Sequence, residues 1–247
     1  MRVHDVVAVK DGQIPVGLVR DFNEGRLPFT VRVVRTEEQL VKAVRIRQAA
    51  YARHMEALAA QLHTPEAADR DADVLVLLAE SKLDGSPLGT MRIQTNNHRP
   101  LVLEQSVQLP SWLHGKNLVE ATRLGVDTGH VGSVVKIALF KAFFLYCVEA
   151  GIDWMVITAR PPLDRQYDAL SFQDLFPGQL IAMRHVGDIP HRVMALDVDA
   201  LQQRWAETKH RLYHFFFNTR HADIDLSDVH SGHSEAFERP RGQLTSV

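Results

Sequence analysis

The run Leu118-Val119-Glu120-Ala121-Thr122-Arg123-Leu124-Gly125-Val126 sets an acid and an arginine three positions apart inside an otherwise apolar stretch. Val119, Ala121 and Leu124 give Glu120 a low-polarity setting, which raises a carboxyl pKa, so Glu120 can take a proton near neutral pH. Arg123 can hold a carbonyl or a carboxylate. Strict strand alternation sends residues 120 and 123 to opposite faces, so one site uses both only if the strand bulges. The structural alternative is a buried ion pair with Arg92 or Asp71. Directly after this run comes Gly129-His130-Val131-Gly132-Ser133, a turn into a helix start, where free amide groups can hold a phosphate. The alternative is a glycine turn that binds nothing. Ser133 suits a helix cap better than a nucleophile, since no Gly-x-Ser-x-Gly elbow surrounds it.

Other reactive residue types point elsewhere. The single cysteine, Cys147, lies in an apolar helix and reads as inert filler, and it rules out an intrachain disulfide or a cysteine zinc cluster. The chain has 13 histidines, several of them (His214, His221, His230, His233) among Asp223, Asp225 and Asp228. No metal-ligand spacing on a firm helix supports a metal site there. Apolar residues make up 45% and charged residues 23%, an ordinary globular composition. A net charge of -2 excludes nucleic-acid binding through bulk positive charge. The N-terminus shows no secretory signal, and the apolar stretch at Leu139 to Val148, broken by Lys136 and Lys141, falls short of a membrane span. The expected address is the cytoplasm.

The elements that must position these residues follow from periodicity. Residues 1–27 read as an N-terminal extension. Phe29, Val31 and Val33 alternate as a strand, and Thr36 with Gln39 forms a capping box for a helix carrying Leu40 and Val44. A polar connection from Thr64 through Asp69, Asp71 and Asp73 precedes strands at Val74–Leu78 and Leu88–Gln94, joined by an Asp84-Gly85 turn. After the strand at Leu118–Val126, a helix from Ser133 to about Ala150 is apolar nearly all round, with Gly151 as its stop. Its Phe140, Phe143 and Phe144 can line an acyl pocket or simply fill the core. A strand at Trp154–Ala159, a short helix at Leu163–Leu170 and strands at Leu180–Val186 and Val193–Val198 complete the main domain. Asp199 is expected to cap a long C-terminal helix containing Trp205, Leu212 and Phe215 to Phe217.

This order, with a glycine turn between the fourth strand and a long helix, resembles the GNAT superfamily of acyltransferases. The Glu120-Ala121-Thr122-Arg123 strand is similar to the Glu-x-x-Arg strand of N-acyl homoserine lactone synthases, and more so to N-acyl amino acid synthases, a branch that includes exosortase-associated acyltransferases. Gly89-Thr90-Met91-Arg92 sits where that clan carries Gly-x-x-Arg. Gln166-Tyr167-Asp168-Ala169-Leu170-Ser171-Phe172 resembles a Leu-Tyr-Glu-Lys-Leu-Gly-Phe segment common in GNAT enzymes. The likeness spans roughly Phe29 to Val198.

The resemblance implies an α/β (α+β) fold: a central mixed, mostly antiparallel sheet flanked by helices, residues 28–198, with 199–247 as an appended C-terminal helix and polar tail. It implies amide formation from a thioester, which needs a neutral amine, donors for the oxyanion and a proton for the departing thiolate. Glu120 is then the base and Tyr167 the acid, Arg92, Thr122 and Arg123 bind substrate, and Gly129 to Ser133 bind the pantetheine phosphate. Asp127 and His130 depart from the superfamily loop. An acid there repels a pyrophosphate, which favours an acyl carrier protein over coenzyme A as donor, with Arg45, Arg47, Arg160 and Arg165 as contacts for its acidic surface. The expected acceptor is an amino acid. Two other functions remain open: a lactone synthase using S-adenosylmethionine, against which stands the lack of any Trp before Trp112, and a non-catalytic sensor of carrier protein or lipid.

Overall fold

A computed structural model of the chain describes residues 23–227. The expected N-terminal extension lies outside these residues up to position 22, as do the histidines at 230 and 233. The elements are β1 (Asn23–Gly25), β2 (Phe29–Val33), α1 (Glu37–Ala52), α2 (Glu56–Ala59), β3 (Val74–Ser81), β4 (Pro87–Thr95), β5 (Leu118–Val126), α3 (Gly129–Glu149), β6 (Trp154–Ala159), α4 (Asp164–Asp168), β7 (Gln173–Asp174), β8 (Ile181–Met183), β9 (Ile189–Asp197), α5 (Leu201–Glu207), β10 (Thr219–His221) and β11 (Ile224–Asp225).

Nine strands form one sheet in the order β11-β2-β3-β4-β5-β6-β9-β7, with β8 also on β9. Only β5–β6 and β11–β2 are parallel pairs within it. β3 is covered on both faces, so it reads as an unbroken apolar run rather than an alternating one. Val31, Leu75, Leu77, Met91, Ile93 and Val119 point to α3 and the main core, while Val76 and Leu78 meet Leu40 and Ala43 of α1 on the other face. The capping box forms as the sequence predicts: the Gln39 amide donates to Thr36 Oγ1 at 3.2 Å, and the Thr36 amide donates to Gln39 Oε1 at 3.3 Å.

Three expectations are corrected. Residues 129–133 do not form a turn ahead of the helix; they are its first turn. Thr128 occupies the cap position without a side-chain bond, and Ser133 Oγ donates back to the Gly129 carbonyl at 3.2 Å. By length and hydropathy α3 is long enough to cross a membrane, but 11 of its 21 residues are buried and it is the core helix of the fold. Third, α5 is seven residues long, not a long helix. Lys209 adopts a left-handed conformation, φ 50°, which ends it. Its first free amide, that of Ala200, is held by Asp197 Oδ1 at 3.0 Å, not by Asp199. Trp205 then stacks on His210, and the chain makes a single π-helical turn at His214–Asn218. From there it returns to the first strands: β10 pairs with β1 in a separate two-stranded sheet, and β11 with β2 at the edge of the main sheet. Trp205, Phe216 and Leu226 belong to the main core. Lys141, 1% exposed, fastens this return: its ammonium donates to the carbonyls of Phe215 (2.6 Å) and Thr219 (2.5 Å) and lies 2.9 Å from His221 Nδ1.

Candidate active site

Two irregularities in the middle of the sheet make the site. The first is in β5. Thr122 pairs with Arg92 and Gly125 with Thr90, so β5 spends three steps where β4 spends two. The extra residue is absorbed at Arg123, whose φ is +54°. The bulge brings Thr122 and Arg123 towards the α1 side together, which strict alternation would forbid. Gly125 follows because α1 presses on this strand: a Cβ there would lie 3.0 Å from Arg47 Cα. The second irregularity is a splay. β5 and β6 pair only from Leu118–Trp154 to Ala121–Ile157, although both strands run on.

The splay opens a cleft of about 610 Å³ through the sheet. From the α1 side it is lined by Tyr51, His54, Arg123, His185 and His191, and from the α3 side by Ser133, Lys136, Phe140 and Tyr167. Arg160, Arg165 and Arg211 stand at its wall and form no ion pair among the described residues. Gly132 packs against the loop before α3, where a Cβ would meet the Asp127 carbonyl at 1.8 Å.

The arginines expected to bind substrate are already occupied. Arg123 makes a fork on Glu66, Nε and Nη2 each donating at 2.8 Å, and also reaches the His185 carbonyl. Arg92, 3% exposed, donates to Thr122 Oγ1 (3.1 Å), Glu66 (3.0 Å) and Asp69 (3.4 Å), and does not line the cleft. Arg47, expected at a docking surface, is fully buried and forms a fork on Asp69 at 2.9 Å. Glu66 is therefore the hub of three guanidinium groups. Burial opposes its ionisation, but the bond from Arg123 and the charges of Arg92, Arg123 and Arg47 outweigh this and hold its pKa at about 2. Nothing in the polar stretch after Thr64 singles Glu66 out.

Glu120 is wholly buried on the α1 side of β5 and does not line the cleft. Its Oε2 accepts from the Leu103 amide at 3.0 Å, and Oε1 has no partner among the described residues. Burial raises its pKa to about 7 against the opposing Leu103 amide and Arg92 charge. The alternative ion pairs, Glu120 with Arg92 and Arg123 with Asp71, do not form among the described residues: Asp71 pairs with Arg99 at 2.7 Å, and Arg92 and Arg123 both go to Glu66. Tyr167 does line the cleft, with its ring edge-on to Phe140 and Phe172. Burial, then the nearby Tyr51, pushes its phenol above the ordinary range.

Of the expected acyl-pocket residues, Phe140 forms part of the cleft wall, Phe144 faces a small void with Phe172, Trp205 and Phe216, and Phe143 lies in the core, touching neither cavity. Within the phosphate segment only Ser133 lines the cleft, while Gly129, His130 and Val131 are exposed beside it. Tyr51, Lys136, His185 and His191 were not expected here. Burial, then Arg123 and His191, lowers the His185 pKa to about 4.

A sheet split between two parallel strands, with a helix start at the split, defines the GNAT class of acyltransferases. The model of the N-acyl amino acid synthase FeeM family matches residues 42–197, and the chain belongs to that family. Among solved structures, FeeM, an N-acyl amino acid synthase from uncultured soil microbes, superposes with a TM-score of 0.57 at 22% identity, covering 73% of this chain and 96% of that one. The coenzyme A-dependent acyl-homoserine lactone synthase BjaI gives 0.51 at 14% identity, covering 80% and 95%. A GNAT-family acetyltransferase from Desulfovibrio desulfuricans gives 0.50 at 13%, covering 69% and 99%. At these identities the superpositions establish the fold. No curated protein sequence matches. The chain is an N-acyltransferase that uses an acyl thioester.

Proposed function

We propose that this enzyme moves a long-chain acyl group from the phosphopantetheine thioester of an acyl carrier protein to the α-amine of an amino acid. The observation that carries this reading is the cleft itself, open to both faces of the sheet with different linings. On the α3 side, the exposed first turn of the helix and Lys136 suit a phosphodiester arm, and no acidic residue lies in that turn. Arg165 and Arg211 near that mouth suit the acidic surface of a carrier protein, whereas Arg45 is exposed on α1, on the other face of the sheet. The acceptor enters from the α1 side. Arg123 is neutralised by Glu66, so Arg160 and Arg53, which line the cleft with no ion pair among the described residues, are the cations left to meet a carboxylate there.

In this reading the amine nitrogen bonds to the thioester carbon, the C–S bond breaks, and Tyr167 gives its proton to the departing sulfur. Thr122 and Arg92 hold the bulged wall of β5. Glu120 works from behind that wall, as a positioning residue rather than a group in contact with the amine.

Incubating the purified protein with long-chain acyl carrier protein or acyl-coenzyme A, each with the common amino acids, tests this by mass spectrometry. Acyl amino acid formed preferentially from the carrier is the expected result. Acyl lactone formed with S-adenosylmethionine, or no product, would refute it.

A further inference from the structure

The amine must shed a proton as it becomes an amide, and neither sequence-expected proton group stands where that proton appears. Glu120 is sealed under residues 101–104 by its bond to Leu103, and Tyr167 lies on the donor side of the cleft. Two imidazoles occupy the acceptor side. His191 opens towards it from β9 and His185 from the turn at Arg184–Val186, whose carbonyl holds Arg123. Their bonding differs. The Ile189 carbonyl, 2.7 Å from His191 Nδ1, can only accept, so Nδ1 carries the hydrogen and Nε2 keeps its lone pair. Nε2 makes no hydrogen bond among the described residues. His185 Nδ1 is buried with no partner among the described residues, so none of them fixes its tautomer.

We infer that His191 is the catalytic base of the acyl transfer, its Nε2 accepting the amine proton at the acceptor mouth of the cleft. This rests on the proposed function. The step balances. As the N–C bond forms and the C–S bond breaks, the amine proton passes to His191 Nε2 and the Tyr167 proton to sulfur; exchange with solvent then returns His191 to neutral and reprotonates Tyr167. The charged and titratable groups facing His191 are Arg160 beyond β6 and His185, with Arg123, Arg92 and Glu66 behind His185. Burial, then Arg160, lowers the His191 pKa in spite of the Ile189 bond, so the ring is neutral and ready to accept at neutral pH. The nitrogen of the tetrahedral adduct is far more acidic than the free ammonium, so a weakened imidazole suffices.

The test is His191→Asn, because asparagine can still donate to the Ile189 carbonyl while lacking the base. Single-turnover release of the carrier thiol is followed across pH, with and without added imidazole. The parent should show an acid limb below the ordinary histidine value of about 6.5. The variant should lose about 10²-fold or more in rate, lose that limb, and be partly restored by imidazole. A variant within about threefold of the parent, or one that keeps the same limb, overturns the assignment. Should the variant not fold, the parent and Glu120→Gln decide: a limb near 7 that disappears in Glu120→Gln makes Glu120 the base, and a lower limb that persists supports His191. Because thiol release is read with any amine turned over, an acceptor that is not an amino acid would defeat the proposed function and leave this comparison intact.

Discussion

Glu120 joins a raised pKa to full burial on the α1 side of β5. Its apolar neighbours give a raised pKa, and the fold supplies one of about 7. What they do not give is the 3₁₀ turn at Val102–Gln105 that closes over it, drawn from an irregular stretch with no period. The consequence falls on stability. In the folded chain Glu120 keeps a proton that the unfolded chain has released above its ordinary 4.5, so folding is favoured in full below that pH and loses this contribution as pH rises through about 7. A shift of this size corresponds to about 3 kcal/mol. Glu120→Gln mimics the protonated form at every pH. Denaturant unfolding from pH 4.5 to 8 should show the parent losing about that much relative to the variant, and parallel curves would contradict it. Tyr167 is the better-placed residue of the two, because its segment carries both the tyrosine and the Phe172 that packs on it. Tyr167→Phe should lower single-turnover rates by about 10²–10⁴ with little change in unfolding midpoint; an unaltered rate would make the ring core packing only.

At the scale of elements, the bulge in β5 is the device that the spacing of Glu120 and Arg123 demanded, but its purpose differs from the expectation. It delivers Arg123 to Glu66, building a buried network of Arg47, Arg92, Arg123, Glu66 and Asp69 behind the acceptor wall. Three guanidinium groups on two carboxylates make Glu66 indispensable. Glu66→Gln should cost about 3–5 kcal/mol in unfolding free energy at neutral pH, the usual penalty for leaving buried charge without its partner. The parent should lose that contribution as pH falls from 4.5 towards about 2, opposite in sign to Glu120. A change under about 1 kcal/mol would show the network to be redundant. Elements with a clean period or a capping pair were legible: α1 with its Thr36–Gln39 box, β3, β4, β5 and β6. The C-terminal helix was not. Trp205, Leu212 and Phe216 suit helical spacing, and the break comes from a lysine in a conformation for which glycine would have been the signal.

Across the whole molecule, order and composition were enough to see the GNAT sheet, since strand–helix order survives where side-chain detail does not. The cleft could be placed only approximately, because its walls come from six separate segments and the arginines that look free in the sequence are divided by tertiary packing. Arg47 is consumed in the core, whereas Arg160, Arg165 and Arg211 remain at the cleft. If Arg165 and Arg211 serve a carrier protein, kcat/KM for an acyl carrier protein should fall about tenfold between roughly 50 and 500 mM salt, as screening shortens the reach of surface charge. Equal efficiency at both salt concentrations would remove the carrier from the argument. The return of the chain to its first strands has a consequence for biosynthesis. The Leu27 amide waits for Asp223, 196 positions later, and the outer edge of β2 waits for β11. On the ribosome the first strands thus emerge with their partners still untranslated, and Lys141 emerges before any of its three acceptors. The cleft is complete in sequence by residue 212, yet the outer edge of β2 stays unpaired until β11 leaves the tunnel. Emergence of residues 219–225, rather than synthesis of the site, then covers the outer edge of β2 and gives β1 its partner.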